Sequence, residues 1–316
     1  MKIRDDNFRN CFFASGALNF FGDGYWYDQW LESSVPGFKE AIKQTTFVAK
    51  TATGEPRAGN MPLDKNFQPK ERLPKCIKIY PLKGVILNAV GLSNPGFNAL
   101  LNTNRWQELT KPFFISFMAV GDTILKRMSE IQKFIDILGV NLANFKTKVG
   151  LQINVSCPNT EHSTKDLAKE AQLSLSEASK LGIPLDLKIN TLVDIGIIKE
   201  IEGSRLCDVL TISNTIPYGS PGIDWKKLFG QKESPLKEFG GGGLSGKLIR
   251  PLVSGKILTL RITGITMPIK GSGGILSPID VDCMSASGAS AIEIGSALIL
   301  RPWRVPAIIK RANEIF

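Results

Sequence analysis

Short apolar runs recur along the chain, and each ends in small or polar residues. They are "CFFASG" (11–16), "TTFVAK" (45–50), "VILNAVG" (85–91), "FFISFMAVG" (113–121), "LQINVSC" (151–157), "LDLKIN" (185–190), "VLTISNT" (209–215), "MPIKGSGG" (267–274) and "AIEIGSA" (291–297). Runs of this length without polar alternation predict strands buried on both faces, as in a parallel sheet. Between them lie helix-period segments at 123–139, 164–182 and 193–204. Strand then helix, repeated, is the pattern of an α/β fold.

Nine strands are one too many for a (β/α)8 barrel. The segment 51–84 carries Pro56, Pro62, Pro69, Pro74 and Pro81, which excludes an ordinary crossover helix. "VILNAVG" is therefore assigned to an excursion over the barrel mouth, and 217–243 to a second mouth-covering loop. Eight strands remain. The expectation is one domain over 1–316, a (β/α)8 TIM barrel with long mouth-covering insertions and its ligands at the C-terminal strand ends. A doubly wound open sheet is the alternative.

Composition supports a sizeable core: 316 residues, 43% hydrophobic and 22% charged. No apolar run reaches the roughly 18 residues of a membrane span, and the N-terminal stretch lacks a signal-peptide shape. A cytoplasmic protein is expected, with no membrane partner. The net charge is 39 − 29 = +10, which suits anionic ligands. The lysines are scattered rather than blocked, so a small anion is expected and nucleic acid is not. Five cysteines without C-x-x-C spacing argue against zinc and disulfides. A lone histidine, His162, leaves Ser-His-Asp chemistry and multi-histidine metal sites poorly supplied.

The strand ends carry the candidate chemistry. Lys50, Asn154, Cys157, Asn159, Lys188 and Asn214 stand at the ends of successive strands, and Asn88 on the excursion. Charges and amides inside apolar strands are costly unless paired. Several at one end of a barrel point to a polar, amide-rich, positive site suited to a planar heterocycle. "KGSGGI" (270–275) and "IGSA" (294–297) end the last two strands and predict a phosphate site, since glycine lets backbone N–H groups approach an anion. "GGGGLSGKL" (240–248) fits part of a P-loop, but Leu248 replaces the magnesium-binding hydroxyl, and a P-loop is rejected. Cys157 is a candidate nucleophile or general base, because nearby lysines favour the thiolate. His162 is assigned to loop packing, and Cys11, Cys76, Cys207 and Cys283 to structural roles.

These residues resemble the FMN-dependent dihydroorotate dehydrogenases, and the resemblance covers nearly the whole chain. It rests on "ASG" (14–16), "AKTATGEPRAGN" (49–60), "NAVGLSNPG" (88–96), "NVSCPNT" (154–160), "LKIN" (187–190), "SNT" (213–215), "GGLSGK" (242–247), "GSGGI" (271–275) and "IGSA" (294–297). "NVSCPNT" is the most specific of these. The resemblance implies a barrel holding FMN that oxidises (S)-dihydroorotate to orotate in de novo pyrimidine biosynthesis. Cys157 stands where the family keeps its general base, and hydride passes to FMN. It implies substrate contacts from Lys50, Asn88, Gly91, Leu92, Asn154, Asn159, Asn214 and Thr215. It implies cofactor contacts from Ala14, Ser15, Gly16, Lys50, Thr51, Asn154, Lys188, Gly246, Gly273, Gly274, Gly295 and Ser296. No metal ligand is expected.

A cysteine base resembles the soluble classes of the family. "NAVGLSNPG" and "GGLSGK" resemble the form that pairs with an iron–sulfur flavoprotein subunit; "FFISFMAVG" resembles the fumarate-using homodimer. A homodimer is expected, with the iron–sulfur partner as a second assembly. "EHSTKDL" (161–167) follows neither pattern and leaves the electron acceptor open. A related pyrimidine as substrate is the close alternative. A flavin- or phosphate-binding barrel without turnover is the distant one, and the Asn/Cys/Lys set argues against it.

Overall fold

The computed structural model describes residues 1–155 and 164–316. Cys157, Asn159 and His162 lie outside the described residues. Eight parallel strands close into a barrel: β1 (Cys11–Phe13), β2 (Thr46–Val48), β3 (Phe113–Phe117), β4 (Val149–Asn154), β5 (Leu185–Ile189), β6 (Val209–Ile212), β7 (Ile269–Ser272) and β8 (Ala291–Ile294). Each pairs with its neighbours in chain order, and β8 returns to β1 through Ile294 opposite Phe13. These are the eight strands expected from the apolar runs, and the open sheet is excluded.

The helices follow their predicted positions. Helix α1 (Ile124–Asn141) is capped by Thr123, whose hydroxyl accepts from Lys126 N at 3.2 Å. It buries Ile131, Phe134, Ile135 and Leu138, one face at 3.6-residue spacing. Phe134 stacks on Phe117 of β3 with ring centroids 3.9 Å apart. Helix α2 (Thr164–Ser179) is tied to α1 by a part-buried pair of Arg127 and Glu170 at 2.7 Å. Helix α3 (Ile195–Ser204) begins at Asp194, whose carboxylate accepts from Gly196 N.

Alternation along each strand sends every second side chain into the barrel. The lowest interior layer is apolar: Phe12, Val48, Phe114, Val209 and Ala291, closed from below by Ile3 and Phe8. Phe114 also explains Gly150 on the neighbouring strand. A Cβ at position 150 would lie 2.4 Å from its ring, so only glycine lets the ring turn inward. This apolar layer fills the floor of the barrel, and the cavity opens at the C-terminal end.

The two insertions differ from the loops expected of them. Val85–Asn88 pairs antiparallel with Ile77–Tyr80 on one side and Gly243–Gly246 on the other, and Ile216–Pro217 completes a four-stranded lid sheet. Val85, Leu87, Ala89, Ile216, Leu236, Leu244 and Ile249 form its own small core. Segments some 155 residues apart, such as Asn88 and Gly243, thus stabilise each other by burying apolar faces that neither could bury alone. Among the described residues no helix is long and apolar enough to cross a membrane.

Candidate active site

A cavity of about 1650 Å³ opens at the C-terminal ends of the strands, between barrel and lid sheet. Its wall includes Ala14, Ser15 and Gly16 after β1, Lys50 and Thr51 after β2, Asn154 from β4 and Lys188 from β5. Asn214 and Thr215 after β6, Gly273 and Gly274 after β7, and Gly295 and Ser296 after β8 continue it, and Asn88, Gly91 and Leu92 reach it from the lid. Gly246 does not line it. Its carbonyl instead backs the glycine turn, where a Cβ on Gly274 would come within 2.7 Å of that oxygen.

Lys50 is the most exceptional group. It is buried, its Nζ donates to the Ser93 carbonyl, and that nitrogen lies 4.6 Å from the centre of the Phe20 ring. Among the described residues no carboxylate pairs with it. Burial pulls its ammonium down to about 7, because charge is disfavoured away from water. The segment that accepts it is held by the first insertion: Ser93 Oγ accepts from Met61 N at 3.0 Å and donates to Val90 O at 3.0 Å.

A chain of hydroxyls runs inward from the same wall. Ser15 Oγ meets Thr51 Oγ1 at 2.8 Å, Thr51 meets Ser116 Oγ at 2.9 Å, and Ser116 Oγ donates to Gln152 Oε1 at 3.2 Å. Opposite lies an amide cluster. Asn214 Nδ2 donates to Asn154 Oδ1 at 3.2 Å, and Asn190 Nδ2 donates to the Thr215 carbonyl at 3.0 Å. Asn88 Nδ2 faces the Gly243 carbonyl at 3.4 Å and links the lid strands. Lys188 Nζ donates to Glu293 Oε1 at 2.7 Å.

The glycine turn after β7 has φ of +129° at Gly273 and +72° at Gly274. A Cβ on Gly273 would lie 2.6 Å from Ile249 Cδ1. No side chain fits there, so the cavity meets backbone. Among the described residues no group of His, Cys, Asp and Glu could hold a metal ion.

The structure therefore gathers the described candidates around one cavity, Gly246 excepted. Sequence reasoning missed Asn190, Ser272 and Glu293, which also line it, and Lys270, Asp186 and Gln152 directly beneath. The signal was present. Glu293 sits in "AIEIG", Lys270 in "MPIKG" and Asp186 in "LDLKIN", each a charge inside an apolar strand like those at Lys50 and Lys188.

Comparison with known proteins agrees with this geometry. The family model described as dihydroorotate dehydrogenase matches residues 1–316. The catalytic subunit of dihydroorotate dehydrogenase B (NAD(+)) from Geobacillus kaustophilus (strain HTA426) is 28% identical over 303 residues, covering 94% of this chain and 83% of its own. The corresponding subunit from Endomicrobium trichonymphae is 27% identical over 275 residues, covering 85% and 79%. The crystal structure of DHODH from Eimeria tenella in complex with ferulenol shares the fold, with a TM-score of 0.66 at 18% identity over 99% of this chain and 82% of that one. A chain-wide family match, on a closed barrel whose strand ends converge on one polar cavity, identifies this chain as an oxidoreductase belonging to the dihydroorotate dehydrogenase family.

Proposed function

We propose that this chain oxidises (S)-dihydroorotate to orotate with FMN in its cavity and Cys157 as general base. The observation that carries the site assignment is Lys50, a buried ammonium with no carboxylate partner among the described residues, set in an amide-lined wall. A buried cation is costly without a counter-charge, and the substrate carboxylate provides one. The ring amides of such a substrate need matched donors and acceptors. Asn88, Asn154, Asn214 and Thr215 offer them from the described wall, and Asn159 belongs to the same set.

The residues present fit a flavin mononucleotide. The backbone wall of Gly273, Gly274, Gly295 and Ser296, backed by Gly246, suits its phosphate. Ala14, Ser15, Gly16, Thr51 and Lys188 would hold its ring system. When bound, the flavin supplies the acceptor for the C6 hydrogen and its electron pair. Lys50 and the asparagines orient the ring, and Cys157 takes the C5 proton. The lid sheet lies over the cavity, where it would limit access of water to a bound ring.

The test is anaerobic. Purified protein should show a flavin spectrum that bleaches on adding dihydroorotate. Absence of flavin would overturn the cofactor assignment, and flavin that stays oxidised would overturn the substrate. Cys157→Ala should keep the flavin and slow bleaching by roughly 10²–10⁴-fold, the usual contribution of a general base; unchanged kinetics would remove Cys157 from that role. Relatives named as catalytic subunits of an NAD(+) enzyme support a heteromeric assembly; the family resemblance adds an iron–sulfur flavoprotein subunit as the proposed partner and a homodimer of this chain as the proposed base. Analytical ultracentrifugation of the chain alone and co-expressed with such a subunit distinguishes the two levels of assembly.

A further inference from the structure

Beneath the cavity, four charged side chains from three strands close on one another. Glu293 of β8 accepts from Lys188 Nζ on Oε1 at 2.7 Å and faces Lys270 Nζ on Oε2 at 3.4 Å. Lys270 Nζ lies 2.7 Å from Asp186 Oδ2. Gln152 Nε2 bridges the two carboxylates, donating to Asp186 Oδ2 at 2.8 Å and Glu293 Oε2 at 3.3 Å. Thr211 Oγ1 donates to Asp186 Oδ1 at 2.7 Å, and Ser272 Oγ to Glu293 Oε1 at 3.3 Å. All four charged residues are at most 5% exposed, so solvent screens them little.

The cluster has two tiers. Lys188 and Glu293 line the cavity, whereas Lys270 and Asp186 lie below it. Burial works to raise the Glu293 carboxyl, but the ammonium groups of Lys188 and Lys270, with hydrogen bonds from Lys188 and Gln152, hold it below the usual carboxylate range. Glu293 is therefore an anion. The two lysines are balanced by two carboxylates, and the only charge that Lys188 brings to the cavity is one already opposed at 2.7 Å.

We propose that Glu293 is a positioning residue for the flavin: it fixes Lys188 at the cavity floor and offsets its charge, which keeps the reduction potential of the bound flavin below the value a lone lysine would set. The inference rests on the flavin reading above. Reduction makes the flavin ring more electron-rich, and an uncompensated ammonium in a poorly screened site stabilises that state strongly. A carboxylate in contact with the ammonium cancels much of this. Lys270 and Asp186 have the supporting role of keeping Glu293 charged without adding net charge of their own.

The test compares midpoint potentials of flavin-loaded proteins equilibrated with reference dyes. Glu293→Gln is nearly isosteric and removes one negative charge. The expected result is retained flavin and a potential raised by at least a tenfold shift in the oxidised-to-reduced equilibrium, about 30 mV for a two-electron couple. The double variant Lys270→Met/Glu293→Gln removes a cation together with its partner, so it keeps the cluster neutral and should fold even where the single variant does not. Its potential is expected to rise by less than that of the single variant. Potentials that stay unchanged or fall in flavin-loaded variants overturn this inference alone. Wild-type protein that holds no flavin overturns the flavin reading and this inference with it.

Discussion

Lys50 on one side of the barrel mouth, and Lys188 with Lys270 on the other, are all buried ammonium groups, yet their surroundings are opposite. Lys188 and Lys270 contact Glu293 and Asp186 at 2.7 Å, and Gln152, Thr211 and Ser272 satisfy the remaining carboxylate oxygens. Lys50 has a carbonyl and an aromatic face. The paired lysines complete a neutral network within the protein. Lys50 has no such countercharge among the described residues, and burial pulls its ammonium down to about 7. A self-satisfied cluster leaves a ligand no charge to answer; an unmatched cation in a cavity is where a ligand anion is proposed to bind.

The comparison breaks first at Lys270. Lys270→Met leaves two buried carboxylates with one ammonium between them, and unfolding in urea should show a loss of about 3–5 kcal/mol. A stable variant would mean the network is not what holds that side together. Lys50→Met should do the reverse. No ion pair with a described residue is broken, so the urea midpoint should hold or rise. Orotate binding, measured by calorimetry, should weaken by about 100-fold, roughly 3 kcal/mol. Equal affinity would remove Lys50 from the anion site.

The pH dependence follows from the same contrast. Only protonated Lys50 attracts a carboxylate. Above about 7 the free protein loses that proton, so binding must take one up, and affinity should fall by up to tenfold per pH unit, about 1.4 kcal/mol. Calorimetry in buffers of different ionisation heat should detect the uptake, and Lys50→Met should abolish it. The smallest effect is the control. Lys237 and Glu233 form a solvent-exposed pair at 2.7 Å, and Lys237→Ala should change stability by no more than about 0.5 kcal/mol. A larger loss would show that pairing rather than burial sets the scale.

Much of this is legible in the amino-acid sequence. The eight strands could be read because a strand covered on both faces needs an unbroken apolar run. The ninth could be set aside because five prolines before it exclude a crossover helix. Polar residues at successive strand ends were enough to mark the end of the barrel at which the cavity opens. The lid sheet was not legible: Val85–Asn88 and Gly243–Gly246 are paired by contact across more than a hundred residues, and nothing periodic in either segment announces the other. Glu293 was overlooked for a related reason. A single carboxylate in an apolar strand reads as an irregularity until its partner on another strand is known.

The division has a physical basis. Periodicity, proline placement and the cost of burying charge are properties of local chain, so the sequence by itself determined the barrel, the direction in which it opens and the residue types at its mouth. Which buried charge meets which is decided by strand order and register. Glu293 reaches Lys188 across 105 positions of chain, and Lys50 meets no described carboxylate at all. Only the closed barrel sorts those lysines into two already answered and one without a described carboxylate, the one proposed to meet a ligand.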